Sequence, residues 1–416
     1  MSYGSKLRAI IGKSVLLVML LVYSSSVYAQ TGYTIHGQVM DAITGQPIPF
    51  VTLSVANGQV SNETNSQGYF ELSIPQPLKQ DTLSLLALNY QLKQVPLLRL
   101  ALTDTLIRLN ALQVATSPTD TYFSLEKSFQ ARDTLLKAVG AIGKNYTRKP
   151  TLLRGFYRET INEQSPNLCV SYAEGLIDIY KPAYSFTKKS DQIHFIKGQR
   201  KPLTAFKIPV LTPGPWGSNM LDIVKYQEFL FRNGQLNKDY IFELTSQTMI
   251  GGQWVYVINF KPRSFYKTSG YFVGRLFLTK EGLAIVRAEY ELAERGLSLL
   301  NKSLNNQVYS THLSKRSYVA NYSKFGDSWS FQSGSIENTF SHIPSSSAFQ
   351  SRIDFVVTRR QEGDDDTKPF TADQLVDYSK MTMSSFDQTS ATFWKEENYL
   401  LPTLPLPALL TGSTDR

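Results

Sequence analysis

Along most of the chain apolar and polar residues alternate, the period of a strand with one buried face. Tyr33, Ile35 and Val39 fall on one side of the first such run, and Thr34, His36 and Gln38 on the other. Turn signals then recur at short intervals: Asp41 to Pro47 with Gly45 inside it, Asn57-Gly58, and Asn65 to Gly68. Between and after them lie strand-like runs at 50–55, 69–74, 82–88 and 105–109. Short strands bounded by Gly, Asn and Pro turns predict a β-sandwich. Past residue 150 the runs lengthen, at 152–159, 170–180, 240–250, 253–261, 271–279, 283–293, 316–322, 328–340 and 352–359. Gly251-Gly252 between two of them is a two-residue hairpin signal. Ala284, Val286, Ala288, Tyr290 and Leu292 oppose Arg287, Glu289 and Glu291, the pattern of an antiparallel sheet wet on one side.

Helical spacing is rarer. Leu135, Val139, Ile142 and Tyr146 stand at i, i+4, i+7 and i+11, which predicts a helix with Asp133 as its N-cap and Pro150 beyond its end. Further helices are expected at 218–231 and 372–378. Leu400 to Pro407 reads as an extended, polyproline-like end.

The N-terminus changes the picture. Lys6, Arg8 and Lys13 precede an apolar run from Val15 to Tyr23, and Val27-Tyr28-Ala29 has the small-x-small character of a cleavage site. This is the plan of a signal peptide, and it places the protein in the periplasm or at the outer membrane of a bacterial envelope. The net charge of +9 falls to about +6 once those three basic residues are removed. The remaining Lys and Arg are scattered, so no nucleic-acid footprint is present. Cys169 is the single cysteine, which excludes an intramolecular disulfide. It is expected to be a small apolar residue in a strand.

Candidate chemistry is sparse. None of the four histidines, His36, His194, His312 and His342, stands in an H-E-x-x-H arrangement, and no G-x-S-x-G or P-loop sequence occurs in the exported part. Asp364-Asp365-Asp366 lacks the spacing of a calcium loop. No catalytic residue, metal ligand or cofactor is therefore expected.

Two resemblances add to this reading. Gly37-x-Val39-x-Asp41-x-x-Thr44-Gly45-x-Pro47-Ile48-Pro49-x-Val51, Thr64-Asn65-x-x-Gly68-x-Phe70 and Leu88-Asn89-Tyr90 resemble the motifs of carboxypeptidase regulatory-like domains. Members usually carry Asp at the position of Asn65 and Gly at that of Asn89. The resemblance implies a transthyretin-like sandwich that serves structure or docking. Asn145-Tyr146, Gly155 to Glu159, Tyr256-x-Ile258-x-Phe260, Gly274 to Leu278 and Phe393-Trp394 are similar to sequences in exported proteins that carry the same domain. The succession of long strands also looks like the half-barrel of periplasmic lipoprotein carriers.

The expected protein is mainly β with a few helices. It divides into a signal peptide (1–29), a regulatory-like β-sandwich (30–112), a linker (113–130), an antiparallel β domain with one or two helices (131–360) and a C-terminal arm or tail (361–416). A non-catalytic binding or scaffolding role in the envelope follows, with an outer-membrane protein, a lipid or a glycan as partner. A lipid- or lipoprotein-carrying half-barrel and a hydrolase with an unrecognised acidic site are the alternatives. The candidate ligand-binding residues are Trp254, Tyr256, Ile258, Phe260, Leu276 and Leu278. Helices covering this face are the expectation, and an open cleft is its rival.

Overall fold

A computed structural model describes residues 32–100, 105–112, 125–165, 168–185, 190–202, 217–226, 230–232, 235–263, 271–305, 311–342, 347–363, 367–376, 394 and 397–403. The signal peptide, Asp364 to Asp366 and the end beyond Thr403 lie outside these.

The N-terminal part builds strands β1 (Tyr33–Asp41), β2 (Thr52–Val55), β3 (Val60–Glu63), β4 (Tyr69–Ile74), β5 (Thr82–Leu86), β6 (Lys93–Pro96) and β7 (Thr105–Leu109). One sheet has the order β4-β1-β7, and β3, β2, β5 and β6 lie side by side in the other. Their facing residues, Ile35, Val39, Leu53, Val55, Phe70, Leu72, Leu83, Leu85 and Ile107 among them, enclose one apolar cluster. This is the sandwich that the alternation predicts.

The remainder builds α1 (Leu125–Gly140), α2 (Ile142–Asn145), β8 (Thr151–Glu163), β9 (Leu168–Lys181), β10 (Gln192–Pro202), α3 (Gly217–Met220), α4 (Ile223–Tyr226), β11 (Phe231–Arg232), β12 (Gln235–Leu236), β13 (Tyr240–Ile250) and β14 (Gln253–Pro262). It continues with β15 (Phe272–Thr279), β16 (Ile285–Leu292), α5 (Glu294–Asn305), β17 (Thr311–Phe325), β18 (Ser328–His342) and β19 (Ser347–Glu362). The long strands pair antiparallel in the order β13-β14-β15-β16-β17-β18-β19-β8-β9-β10, a large sheet curled into a half-barrel. Gly251 and Gly252 turn β13 into β14 with φ of 56° and 78°. Those values match the strand twist and would strain a side chain.

Several boundaries differ from expectation. The helix begins at Leu125, so Asp133 is not its cap but pairs mid-helix with Lys137 at 2.6 Å. Part of the expected linker is therefore helix. Residues 218–231 do not form one helix: α3 and α4 are single turns separated by Leu221 and Asp222. Within 372–378 the described residues form only a turn, and Leu375 bridges to His194.

The two parts share a sheet. Val60 of β3 pairs with Arg359 of β19, and Ser61 Oγ donates to Val357 O at 2.6 Å. Gly58 lies where a Cβ would come within 2.6 Å of Lys324 O. The buried Arg360 guanidinium crosses this joint, donating to Gly58 O at 3.0 Å, Ser61 Oγ at 3.2 Å and Phe331 O at 3.1 Å. A second contact returns the sandwich to the first long strand, through a bridge between Leu88 and Ile250 and the Asn89 N–H donated to Met249 O at 3.0 Å.

Candidate functional site

The concave face of the half-barrel is continuous because the strand register keeps it so. One row of cross-strand neighbours runs Leu244, Ile258, Leu276, Ala288, Ala320, Gly334, Phe355, Tyr157. A parallel row runs Phe242, Phe260, Gly274, Tyr290, Tyr318, Ile336, Ile353, Glu159. Aligned neighbours on a sheet form a single surface, and this one is apolar apart from its last member.

The face is covered by the chain itself. Ala131, Leu135 and Ala138 of α1, Ile142 of α2, Tyr146, Leu221, Ile223 and Val224 join the wall residues in one buried cluster. Leu221 sits over Gly334, where a Cβ would come within 2.9 Å of it. The helical stripe is thus core-facing, as its spacing predicts.

Of the six candidate residues, Ile258, Phe260, Leu276 and Leu278 are buried in this cluster, with at most 1 % of their surface exposed. Tyr256 stands opposite Leu278 in the β14–β15 register but is only half-buried, and Trp254, nearer the start of β14, is exposed. Trp254 is 48 % exposed, and the Lys280 ammonium lies 5.8 Å from its ring and 5.6 Å from that of Tyr256. Burial thus falls off toward the start of β14, while the strands to either side of β14 and β15 bulge, at Thr245 on β13 and at Val286 on β16. At that end the opposite side chains, Val255 and Val257, are the buried ones. A bulge bends the strand that carries it and increases the local twist.

A polar cluster, not anticipated from the sequence, fastens part of the cover to the wall. Lys181 at the end of β9 bonds Asp191, and its ammonium donates to Asp222 Oδ2 at 2.7 Å. The hydroxyls of Tyr184 and Tyr322 donate to Asp222 at 2.8 Å each. The Lys225 ammonium donates to Ala183 O at 3.0 Å. All four charged groups are buried. Burial disfavours the Lys181 charge, but Asp191 and Asp222 more than offset this and hold its pKa above the ordinary lysine range. Burial raises the Asp191 pKa, opposed by Lys181. The sequence signal for this cluster is weak, since its members are spread over residues 181 to 322 with no fixed spacing.

The convex face is polar. Arg275 and Arg287 bond Glu289, and Arg287 reaches Asn321. Asn321 donates to Ser333 Oγ at 3.0 Å, and Ser333 in turn donates to Glu63 of the sandwich. Burial pushes the Glu63 carboxyl up to about 7, against the hydrogen bonds from Ser333 and Thr52.

His36 is on the exposed face of β1, with Nδ1 3.3 Å from Glu71. Among the described residues no three His, Cys, Asp or Glu side chains come together to hold a metal ion. Cys169 is a partly buried free thiol on β9, raised in pKa by that burial. No described helix is long and apolar enough to cross a membrane.

No family model matches the chain, and no curated protein matches it. Among solved structures, a domain described as an outer membrane lipoprotein-sorting protein from Vibrio parahaemolyticus is similar at 11 % identity and a TM-score of 0.28, over 57 % of this chain and 95 % of its own. A LolA superfamily protein from Nitrosomonas europaea is similar at 14 % identity and a TM-score of 0.22, over 59 % and 99 %. A membrane-associated protein of unknown function from Bacteroides fragilis is similar at 11 % identity and a TM-score of 0.16, over 80 % and 99 %. Likenesses at this level carry no argument about what the chain binds.

Proposed function

We propose that this chain is a non-catalytic binding protein of the cell envelope. Its half-barrel takes an apolar guest, such as the acyl chain of a lipid or lipoprotein, against the concave face when α1 moves away. The observation that carries the reading is the thinness of the cover at α1. Among its described side chains that helix buries only Ala131, Leu135 and Ala138 fully, worth about 4 kcal/mol of burial in all. The wall beneath offers Phe242, Phe260, Tyr290, Ile336 and Ile353. The rest of the cover is held by the Lys181–Asp222 cluster, so α1 is the part that can open at least cost. Phe129 and Leu136, two turns apart on α1, are 71 % and 51 % exposed, an outward apolar pair suited to the surface from which a lipid is taken. Asp191 and Asp222 are enclosed and paired with Lys181, so they offer no open base or nucleophile for hydrolysis.

The sandwich, by its likeness to regulatory-like domains, is the docking and scaffolding module in this reading, and the signal peptide sends both to the envelope. The test is titration of the full exported chain with a fluorescent fatty acid. Saturable binding displaced by unlabelled phospholipid is expected, and a variant with Ala131→Trp, which crowds α1 off the wall, should bind more tightly. Absence of binding by both proteins, each shown to be folded, contradicts the reading.

A further inference from the structure

Between the sandwich and the convex side of the half-barrel lies a segment that neither part owns. Residues 397–403 run there outside any helix or strand, with Trp394 anchored just before them. From the sandwich, the Asn62 side-chain amide donates to Tyr399 O at 2.9 Å and that of Asn65 to Pro402 O at 2.9 Å. From the half-barrel, the Arg158 guanidinium donates to Leu400 O and, at 3.3 Å, to Leu401 O. Four consecutive carbonyls are thus each met by a side chain, the outer two from the sandwich and the inner two from the half-barrel. Asn62, Asn65 and Arg158 are all at least nine-tenths buried, so their donors have little water to turn to.

Side chains of the segment complete the fit. The Asn398 amide accepts from Ser73 N at 2.6 Å and donates to Ser73 O at 3.1 Å. It thereby satisfies a backbone unit of β4, an edge strand of its sheet. Leu400 is buried. The Trp394 ring stacks on Tyr399 at 5.6 Å and meets Phe156 edge-on at 5.3 Å, while its indole N–H donates to Glu174 Oε1 at 2.6 Å. Glu397 pairs with Arg154 at 3.3 Å. Backbone capture together with pockets for chosen side chains is how grooves recognise extended peptides.

We propose that this groove is a peptide-binding site whose ligand is the chain's own segment 397–403 together with Trp394, and that the segment is a detachable clasp holding the sandwich against the half-barrel. The proposal goes beyond the lipid-binding function and does not depend on it. The clasp spans both parts, so its release leaves them joined by the β3–β19 pairing and the Leu88–Ile250 contact.

The test uses a chain ending at Phe393 and a synthetic fluorescent peptide of residues 394–403, read by anisotropy. The shortened protein should bind the peptide saturably at micromolar concentration. The full-length protein should bind it at least about tenfold more weakly, because a tethered segment competes at roughly millimolar effective concentration. A folded shortened protein that ignores the peptide, or equal binding by both proteins, overturns the proposal. If the shortened chain does not fold, hydrogen exchange in the full-length Asn65→Ala, Arg158→Ala double variant decides. Backbone amides of 397–403 should exchange at least about tenfold faster while those of β15 stay protected, and unchanged exchange in the segment overturns the proposal.

Discussion

The two faces of the half-barrel sheet are stabilised by opposite means. The concave face is apolar from Phe242 to Ile353, with Glu159 at the end of one row and an enclosed cluster beside it in which Lys181 neutralises its neighbours. On the convex face, charges follow one another from strand to strand, Arg275, Glu289, Arg287, then Arg352 with Glu337 and Asp354. What covers each face follows from this. A cover resting on apolar contacts can slide or lift with little specificity to lose. A cover resting on hydrogen bonds, as the sandwich and the 397–403 segment do, is fixed in register and is sensitive to protonation.

The sharpest way to break the contrast is to put a charge on the concave face. Ile258→Asp places an unpaired carboxylate at a fully buried position, and should cost about 4 kcal/mol or more, enough to prevent folding. A stable Ile258→Asp protein in thermal melts would mean that the face is open to water. Asp222→Ala is next. It leaves Lys181 with Asp191 alone and strands the Tyr184 and Tyr322 hydroxyls, a loss of about 3–5 kcal/mol by urea denaturation. A loss under about 1 kcal/mol would show that the cluster does not fasten the cover.

The convex side predicts a pH effect. The Glu63 carboxyl titrates near 7 in the folded protein and near the ordinary 4.5 when unfolded. Between these values the folded state holds a proton that the unfolded state has released, so stability falls as pH rises. The fall amounts to about 3 kcal/mol across the window. Glu63→Gln should flatten this part of the stability profile, and a slope unchanged by that substitution would place its source elsewhere. The smallest effect belongs to Trp254→Ala at the exposed rim, within about 0.5 kcal/mol in the same denaturation; a larger loss would extend the buried face to the end of β14.

The sequence made the sandwich and the β13–β14 hairpin legible for local reasons. Both rest on strict alternation and on Gly or Asn turns, and Tyr69–Ile74, Thr105–Leu109 and Tyr240–Ile250 stand where the pattern puts them. Strand β10 escaped because it is an edge strand rich in Lys, Arg and Gln, with no inner face to bury continuously. Helix α5 escaped although Leu297, Leu300 and Leu304 stand at i, i+3 and i+7 and pack beside Phe340 and Phe349. That spacing was readable, and the Leu-Ser-Leu-Leu sequence around it obscured it. The candidate site was half legible. Ile258, Phe260, Leu276 and Leu278 share a buried face as the period-two rule requires, while the fall in burial toward Tyr256 and Trp254 on the same face leaves no mark in composition. The Lys181–Asp222 cluster depends on distant segments meeting, which no local pattern encodes.

The most direct measurement is hydrogen exchange on the full exported chain, with and without a fatty acid. If the concave face is a binding face beneath a movable cover, amides of α1 should exchange at least about tenfold faster than those of β14 and β15, with fatty acid changing the α1 rates and leaving the sandwich unaffected. Protection of α1 equal to that of β14 and β15, and indifferent to fatty acid, would show that the helix is a permanent part of the core and that the half-barrel binds no such guest.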